Sequence, residues 1–225
     1  MGLYLYETHL HTSEASACSR STGAEQARIY KEAGYAGIIV TDHFFNGNTA
    51  IQGNLPWERR VDLFSRGYEN AKEEGDKIGL SVFFGWEANF RGTEFLIYGL
   101  DSEWIKRHPD MLSWSVEDQY RNIHEAGGYV VHAHPFRMRS YIKEIRLFPD
   151  FVDAVEVYNP GNMSIVADKQ AVEYAKEHNL PAFAGSDAHG FEQGLNAMGF
   201  KKPLKNIEDF ITYVKLGDYK LLKDI

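Results

Sequence analysis

The sequence lacks the features that mark disulfide-rich, membrane-spanning or secreted proteins. It contains a single cysteine among 225 residues, Cys18, so no intramolecular disulfide bond is possible. A lone cysteine favours a reducing compartment. Apolar runs of about 18 residues, the length that a membrane-spanning helix needs, are absent. The first residues, MGLYLYETHLHT, lack the basic segment and cleavage site of a signal peptide. We therefore expect a cytoplasmic location and no membrane partner.

Positive charge is also scarce. There are 24 Lys and Arg residues against 32 Asp and Glu residues, which gives a formal net charge of −8. A surface of this sign repels long polyanions, so nucleic acid is not the favoured partner. Hydrophobic residues make up 44% of the chain and charged residues 25%, as in globular proteins. Composition does not change along the chain and no linker or repeat is visible, so we expect one domain over residues 1–225.

Short apolar runs alternate with longer amphipathic runs, a pattern typical of βα units. Strands are predicted at residues 3–10, 36–41, 80–86, 94–99, 129–133, 154–158, 182–185 and 197–200. Helices are predicted at residues 21–34, 56–77, 116–126, 165–178 and 207–216. This is an α/β pattern, and its length suits a small barrel or an open, doubly wound sheet.

Polar residues that are unusual in a core fall at the ends of five predicted strands. They are His9 and His11, Asp42 and His43, Glu87, His132 and His134, and Asp187 and His189. In an α/β barrel the carboxyl ends of the strands carry the active site, so these side chains are expected on one face. Residues two apart on a strand point the same way, so His9 and His11 can hold one ion together, and so can His132 and His134. Asp187 and His189 can do the same if the backbone stays extended there.

The chemistry of these side chains indicates a metal centre. Neutral imidazole and carboxylate are ligands of Zn²⁺, Mn²⁺ and Fe²⁺. Their number exceeds what one tetrahedral ion needs, so we predict two or three divalent transition-metal ions (Zn, Mn or Fe) bridged by a carboxylate. The remaining histidines, His108, His124 and His178, fall in predicted helices or beside them, and we interpret them as surface residues.

The ordered set HLH, TDH, GWE, AHP and SDAH resembles the polymerase and histidinol phosphatase (PHP) superfamily. The resemblance extends from His9 to His189, nearly the whole chain. It implies a distorted (β/α)7 barrel as the fold. It also implies metal ligands at His9, His11, His43, Glu87, His134, Asp187 and His189, with Glu87 as the bridging carboxylate.

Two positions depart from the superfamily pattern. Members often carry an Asp, Glu or His shortly after the HxH pair, and we expect Glu14 to be that ligand. Many members also carry a His on the strand after the bridging Glu, where this chain has GTEFLIYG; either Glu94 substitutes or one metal site is weakened. His132 and Asp42 are interpreted as residues that orient ligands. Cys18 is either a thiol ligand, a redox-sensitive thiol or, as we favour here, a small residue in a loop.

A basic segment follows the AHP motif in this acidic chain. It contains Arg137, Arg139, Lys143 and Arg146. Guanidinium pairs bidentately with phosphate oxygens, so we expect Arg137 and Arg139 to bind a substrate phosphate. The alternative is a solvated amphipathic turn. Asn159 follows a predicted strand and would either bind substrate or end the strand in a turn.

These features and the resemblance together predict a metal-dependent phosphoesterase that hydrolyses a small ester, such as a sugar, nucleotide or histidinol phosphate. The ions would lower the pKa of a bridging water and so generate a hydroxide nucleophile. Glu87, Asp187, His43 and His189 are the expected catalytic residues, the last three as candidates to protonate the leaving alcohol. Three alternatives stay open: a 3′–5′ nuclease-like phosphodiesterase, a non-catalytic metal-binding regulatory protein, and hydrolysis of a carbon–nitrogen bond.

Overall fold

The structure is a computed structural model and describes residues 2–140, 142–190 and 196–223. Within these residues the strands form one sheet of nine. The strands are β1 (Tyr4–Leu10), β2 (Gly37–Val40), β3 (Ser81–Phe90), β4 (Thr93–Tyr98), β5 (Tyr129–Ala133), β6 (Ala154–Tyr158), β7 (Ala182–Ala184), β8 (Ala197–Phe200) and β9 (Lys220–Leu222). The helices are α1 (Gly23–Glu32), α2 (Trp57–Phe64), α3 (Arg66–Ile78), α4 (Ser102–Lys106), α5 (Val116–Glu125), α6 (Ile165–Glu177) and α7 (Ile207–Lys215). Short 3-10 turns lie at Met111–Ser113, Pro149–Phe151 and Pro160–Asn162.

The strand order is β7-β6-β5-β4-β3-β2-β1-β8-β9. β1, β2 and β3 are parallel to one another, as are β5, β6 and β7. The chain beyond β7 returns to β1, where the N–H of His11 donates to the carbonyl of Ala188 at 2.9 Å. This contact nearly closes the sheet into a barrel, so the predicted barrel-like α/β fold is confirmed.

One strand departs from the βα pattern. β4 runs antiparallel to both β3 and β5. Only Arg91 and Gly92 separate β3 from β4, and both have positive φ, at 54° and 90°. Two consecutive residues in that conformation make a tight hairpin, which leaves no room for a crossover helix.

The helix predicted at residues 56–77 is two helices, α2 and α3, that meet at Ser65. The Ser65 hydroxyl donates to the carbonyl of Val61 at 3.0 Å, a bond that competes with the regular helix ladder and bends helices. Beyond this bend, α3 presses against the loop after β1. A Cβ atom on Gly67 would lie 1.9 Å from Oγ1 of Thr12, so only glycine permits this approach.

The barrel interior is filled with aromatic side chains and is covered by α7 at one end. The ring of Phe210 on α7 packs edge-on against Tyr98 and Phe183, with ring centroids 5.6 and 5.7 Å apart. Because Tyr98 ends the antiparallel strand β4, this apolar plug lies at the amino ends of the parallel strands. Their carboxyl ends are left for polar side chains. Within the described residues, every helix is too short or too polar to cross a membrane.

Candidate metal centre

Eight ionisable side chains converge at the carboxyl ends of the parallel strands and form four overlapping groups in which the ligand atoms lie within 4.8 Å of one another. They are His9, His11, His43, Glu87, Glu94, His134, Asp187 and His189. The sequence predicted all of these as ligands except Glu94, which it offered as a substitute for a missing histidine. Seven of the eight are buried, and His189 is half-buried.

The local shape of β1 turns its two histidines into this cluster. The pairing of β1 with β2 is irregular beyond Glu7. The buried Glu7 carboxylate accepts hydrogen bonds from the N–H groups of Thr8, His9 and Ser186 at 2.9, 2.8 and 2.9 Å. Backbone groups that the irregularity leaves unpaired are thereby satisfied, and β1 is tied to the loop after β7. Burial raises the pKa of Glu7 to about 7.

The two histidines of β1 present lone pairs to one point. Nε2 of His9 lies 3.2 Å from Nε2 of His11. Nδ1 of His9 donates to the Glu156 carboxylate at 3.0 Å. Nδ1 of His11 lies 3.1 Å from Oγ of Ser16, which gives its own proton to Asp42 at 2.7 Å and so accepts from His11. Each ring therefore carries a proton on Nδ1, and both Nε2 atoms are directed at one point, where they could bind a metal ion together.

The Glu87 carboxylate lies among four imidazoles. Its Oε1 is 3.2 Å from Nε2 of both His9 and His134. Its Oε2 is 2.5 Å from Nδ1 of His43 and 3.8 Å from Nε2 of His11. Despite this proximity, Oε2 of Glu87 and Nδ1 of His43 have no partner with hydrogen-bond geometry within the described residues, and both are buried. A carboxylate whose Oε1 faces His9 and His134 and whose Oε2 faces His43 and His11 fits the expected bridge between two ions.

Burial and the neighbouring charges shift the pKa values of the cluster in opposite directions. Burial opposes protonation of His9, but the carboxylates of Glu156, Asp187 and Glu87 outweigh it and raise the pKa of His9 well above its usual value. Burial likewise favours the neutral form of Glu87, yet the imidazoles of His43 and His9 hold its pKa well below the usual range. The centre therefore attracts positive charge, which bound divalent ions would supply.

Asp187 and His189 reach the cluster by a different route from the one that the sequence suggested. The backbone at Asp187 is left-handed, with φ of 51°, not extended. Oδ1 of Asp187 still lies 3.0 Å from Nε2 of His11, and the His189 ring stacks on His11 with centroids 4.4 Å apart. Nη2 of Arg137 lies 2.6 Å from Oδ2 of Asp187.

His132 lies outside the centre. β5 ends at Ala133, and His134 turns the chain with φ of 27°, so the two histidines do not share a face. The His132 ring stacks on Phe95 with centroids 5.3 Å apart, and neither of its nitrogens has a hydrogen-bond partner within the described residues. Burial lowers its pKa to about 3. The role in orienting ligands that we expected for His132 is not supported, because it is a neutral core residue.

Glu14 also lies away from the cluster. Its carboxylate accepts hydrogen bonds from the N–H of Gly23 at 3.1 Å and from Asn70 at 2.8 Å. That position, at the start of α1, favours negative charge because of the helix dipole. The placement does not support the ligand role that the sequence suggested for Glu14. Asp42, by contrast, has the contacts expected of an orienting residue, since it accepts the proton of Ser16, whose hydroxyl oxygen accepts from His11.

A cavity of about 370 Å³ opens onto the centre. It is lined by Cys18, His43, Asn48, Glu94, Arg137, Asp187 and His189. Among the predicted phosphate-binding residues, Arg137 therefore reaches the cavity. Its guanidinium is buried, and Nη2 also donates to the side chain of Asn159 at 2.9 Å.

The other basic residues of this segment have different partners. Arg139 donates to the carbonyl of Gly161 at 2.6 Å and does not line the cavity, so its predicted phosphate role is not supported. Arg146 pairs with Glu144 at 2.7 Å, and Lys143 is exposed. Asn159 accepts from Arg137 and donates to Glu156 at 2.8 Å, so it orients site residues.

The sequence reading missed three residues that shape the centre, namely Glu7, Ser16 and Glu156. Glu156 accepts from Nδ1 of His9 and from the N–H of His134. A signal for the two glutamates was present, because each is the single carboxylate within a predicted strand (LYETHL and AVEVY). A buried charge in such a place needs partners.

Comparisons with known proteins give a family match and a relative in sequence. Residues 167–219 match the family model described as PHP-associated. Over 115 residues the chain is 32% identical to an uncharacterised protein of Methanocaldococcus jannaschii, a match that covers 45% of this chain and 48% of that protein. The similarity thus spans about half the length of that relative.

Two solved structures share the fold. One is a protein of Bifidobacterium adolescentis assigned as a metal-dependent phosphoesterase, with 17% identity and a TM-score of 0.61 over 92% of this chain and 94% of that one. The other is a two-domain protein of Bacteroides vulgatus that contains a predicted PHP-like metal-dependent phosphoesterase, with 13% identity and a TM-score of 0.65 over 99% of this chain and 65% of that one. At these identities the likeness concerns the fold.

Proposed function

The chain is a PHP superfamily domain, and from that premise we propose that it is a metal-dependent phosphoesterase acting on a small phosphate ester. The observation that carries the proposal is that the imidazole and carboxylate cluster and the buried guanidinium of Arg137 meet at one cavity. Metal ligands and a phosphate-binding cation in one place are what phosphoester hydrolysis requires.

The ligand groups suggest how ions would be held. His9, His11 and Asp187 form one group, and Glu87 joins His134 in another, with Glu94 3.6 Å from His134. When bound, divalent ions there would neutralise phosphate oxygens and make a water molecule strongly nucleophilic near neutral pH. The protein side chains hold the ligand atoms in place before any ion arrives, because each is buried and most have a fixed partner.

Arg137 supports the assignment of phosphate as the group that is recognised. Its Nη2 pairs with the Asp187 carboxylate and donates to the side chain of Asn159, and its Nε donates to the side chain of Asn162 at 3.4 Å. Within the described residues Nη1 has no hydrogen-bond partner, and the side chain lines the cavity. The free N–H groups of a buried guanidinium are suited to donate to a phosphate oxygen of the substrate.

Asp187 serves as a ligand and not as the acid that protonates the leaving alcohol. Burial favours its neutral form, but Arg137 and His9 hold the pKa of Asp187 well below its usual range. A carboxyl group in that state has no proton to give near neutral pH. Of the residues that the sequence suggested for this step, His43 and His189 line the cavity and stay as the candidates.

The size and charge of the cavity favour a small ester over a nucleic acid. A volume of about 370 Å³ is near the lower end of small-molecule pockets, roughly 300–1,000 Å³. A nuclease would need several Lys or Arg contacts along a strand. Arg139 and Arg146 have backbone or carboxylate partners elsewhere, and the chain carries a net charge of −8.

A substrate panel tests the proposal. Protein loaded with Mn²⁺ or Zn²⁺ would be assayed on small phosphate monoesters, oligonucleotides and amides, alongside Glu87→Gln, which removes the bridging charge. We expect turnover of a monoester that falls by several orders of magnitude in Glu87→Gln with the fold retained. Faster cleavage of oligonucleotides would favour the nuclease, amide cleavage would favour carbon–nitrogen hydrolysis, and metal binding without any turnover would favour the regulatory protein.

A further inference from the structure

A chain of hydrogen bonds leads from Arg137 away from the metal centre to the first turn of α6. Nε of Arg137 donates to Oδ1 of Asn162 at 3.4 Å, and Nδ2 of Asn162 donates to Oδ1 of Asp168 at 2.9 Å. Oδ2 of Asp168 pairs with Nζ of Lys223 at 2.6 Å. The side chains of Arg137, Asn162 and Asp168 are buried, so solvent competes little for these bonds.

The Asp168 carboxylate determines which end of the Asn162 amide faces Arg137. An amide side chain has an oxygen that accepts and an NH₂ group that donates, whereas a carboxylate paired with a lysine can only accept. The NH₂ group of Asn162 must therefore face Asp168, which leaves Oδ1 for the guanidinium. Without Asp168 the amide would be free to turn its NH₂ group toward Arg137, where two donors would oppose each other.

A second asparagine repeats this arrangement on the same 3-10 turn. Oδ1 of Asn159 accepts from Nη2 of Arg137 at 2.9 Å, while its Nδ2 donates to Glu156 at 2.8 Å. The turn packs directly against the guanidinium, because a Cβ atom on Gly161 would lie 2.6 Å from Nη2 of Arg137. Asn162 and Asn159 thus hold Nε and Nη2, which leaves Nη1 for a ligand in the cavity.

We propose that Asp168 is a positioning residue for Arg137, on which it acts through the amide of Asn162. The inference rests on the phosphate-binding role of Arg137 in the proposed function. Within the described residues Asp168 belongs neither to the ligand groups nor to the lining of the cavity. Its effect is to keep the guanidinium in one orientation, so that less conformational entropy is lost when phosphate binds.

Lys223 has a different part in this chain of contacts. Its Nζ pairs with Asp168 and lies 5.1 Å from the centroid of the Tyr158 ring, so it ties the residues after β9 to α6 and β6. This ion pair stabilises the fold, but it does not determine which atom of Asn162 faces Arg137. Removing Lys223 therefore separates a structural role of Asp168 from a positioning role.

Binding of inorganic phosphate to the metal-loaded protein, measured by calorimetry, tests the inference without relying on turnover. Asp168→Ala should weaken phosphate binding, and raise KM for a phosphate monoester, by about 3- to 10-fold, the effect of one hydrogen bond. The kcat and the metal content should stay close to those of the wild type. Asn162→Ala should behave alike, and the double variant should be no worse than Asn162→Ala, because Asp168 acts through that amide.

Two further variants separate positioning from stability. Lys223→Met should lower stability in urea but keep the wild-type phosphate affinity, because Asp168 still accepts from Asn162. Asp168→Asn combined with Lys223→Met offers an amide oxygen to Asn162 and should bind phosphate like Lys223→Met. This pair replaces Asp168→Ala if the latter does not fold, and weaker binding than in Asp168→Asn alone would then contradict the inference.

The outcomes distinguish this inference from the proposed function. Wild-type phosphate affinity in Asp168→Ala, or an equal loss of affinity in Lys223→Met, would overturn the positioning role and leave ester hydrolysis standing. Additive losses from Asp168→Ala and Asn162→Ala would overturn it as well. Weaker phosphate binding in Asp168→Ala, in a protein that hydrolyses no ester, would uphold the positioning role and overturn the proposed function.

Discussion

Glu156 accepts the Nδ1 proton of His9 at 3.0 Å, and both side chains are completely buried. The second oxygen of Glu156 accepts from the N–H of His134 at 3.0 Å. One carboxylate on β6 thus orients a ligand from β1 and another from the end of β5. The bond to Nδ1 fixes the orientation of the His9 ring and raises the basicity of its Nε2.

We therefore expect Glu156→Gln to weaken metal binding by about 10- to 100-fold without unfolding the protein, as is usual for residues that support metal ligands. Competition with a coloured chelator measures the affinity, and circular dichroism checks the fold. Glu177→Gln, on the exposed end of α6, is the control and should bind metal like the wild type. Unchanged affinity in Glu156→Gln would show that the carboxylate does not support the ligands.

The clustering of the strand-end residues was predictable because it depends on a general property of the fold. Carboxyl ends of parallel strands meet at one end of a barrel, so His9, His11, His43, Glu87 and Asp187 are brought together whatever the loops do. Strand periodicity and the order of the motifs are enough to identify such residues.

The residues that loops and turns position were not predictable. Glu94 enters the centre because a two-residue hairpin sets its strand antiparallel to β3 and pairs it with Asn89. A positive φ at His134 separates it from His132. Spacing along the chain does not determine either conformation, nor which of Cys18 and Glu14 in one loop lines the cavity.

The phosphate-binding role of Arg137 can be separated from its ion pair with Asp187. Arg137→Lys keeps a positive charge beside Asp187 but lacks the second nitrogen that faces the cavity. We expect KM for the phosphate ester to rise about 10-fold or more, the effect of losing a hydrogen bond between charged groups, roughly 1.5–3 kcal/mol. Metal content should stay close to that of the wild type, as measured by elemental analysis.

Arg139→Ala is the matched comparison, because Arg139 lies two residues further along and donates to the carbonyl of Gly161 outside the cavity. Its KM should change little. A larger rise in KM for Arg139→Ala than for Arg137→Lys would contradict the assignment and restore the prediction made from the sequence.

Gly67 permits the close approach of α3 to the metal centre. A Cβ atom there would lie 1.9 Å from Oγ1 of Thr12 and 2.8 Å from Oδ2 of Asp42. Gly67→Ala should lower the free energy of unfolding by about 1–3 kcal/mol, as overpacking usually does. Urea denaturation measures this. In Gly53→Ala the added atom meets nothing within 4 Å, so that control should stay within about 0.5 kcal/mol of the wild type.

The last prediction concerns His132, which burial keeps neutral down to a pKa of about 3. The unfolded chain binds a proton there near pH 6.5 while the folded chain does not, so stability is lost as the pH falls below 6.5. At pH 5 the loss would be about 2 kcal/mol.

His132→Leu, of similar volume, removes this contribution. Urea denaturation of metal-free protein should therefore show a smaller fall in stability between pH 7 and pH 5 in His132→Leu than in the wild type. His178→Gln, exposed at the end of α6, should retain the wild-type fall. Equal pH dependence in His132→Leu and the wild type would mean that His132 takes up a proton in the folded protein.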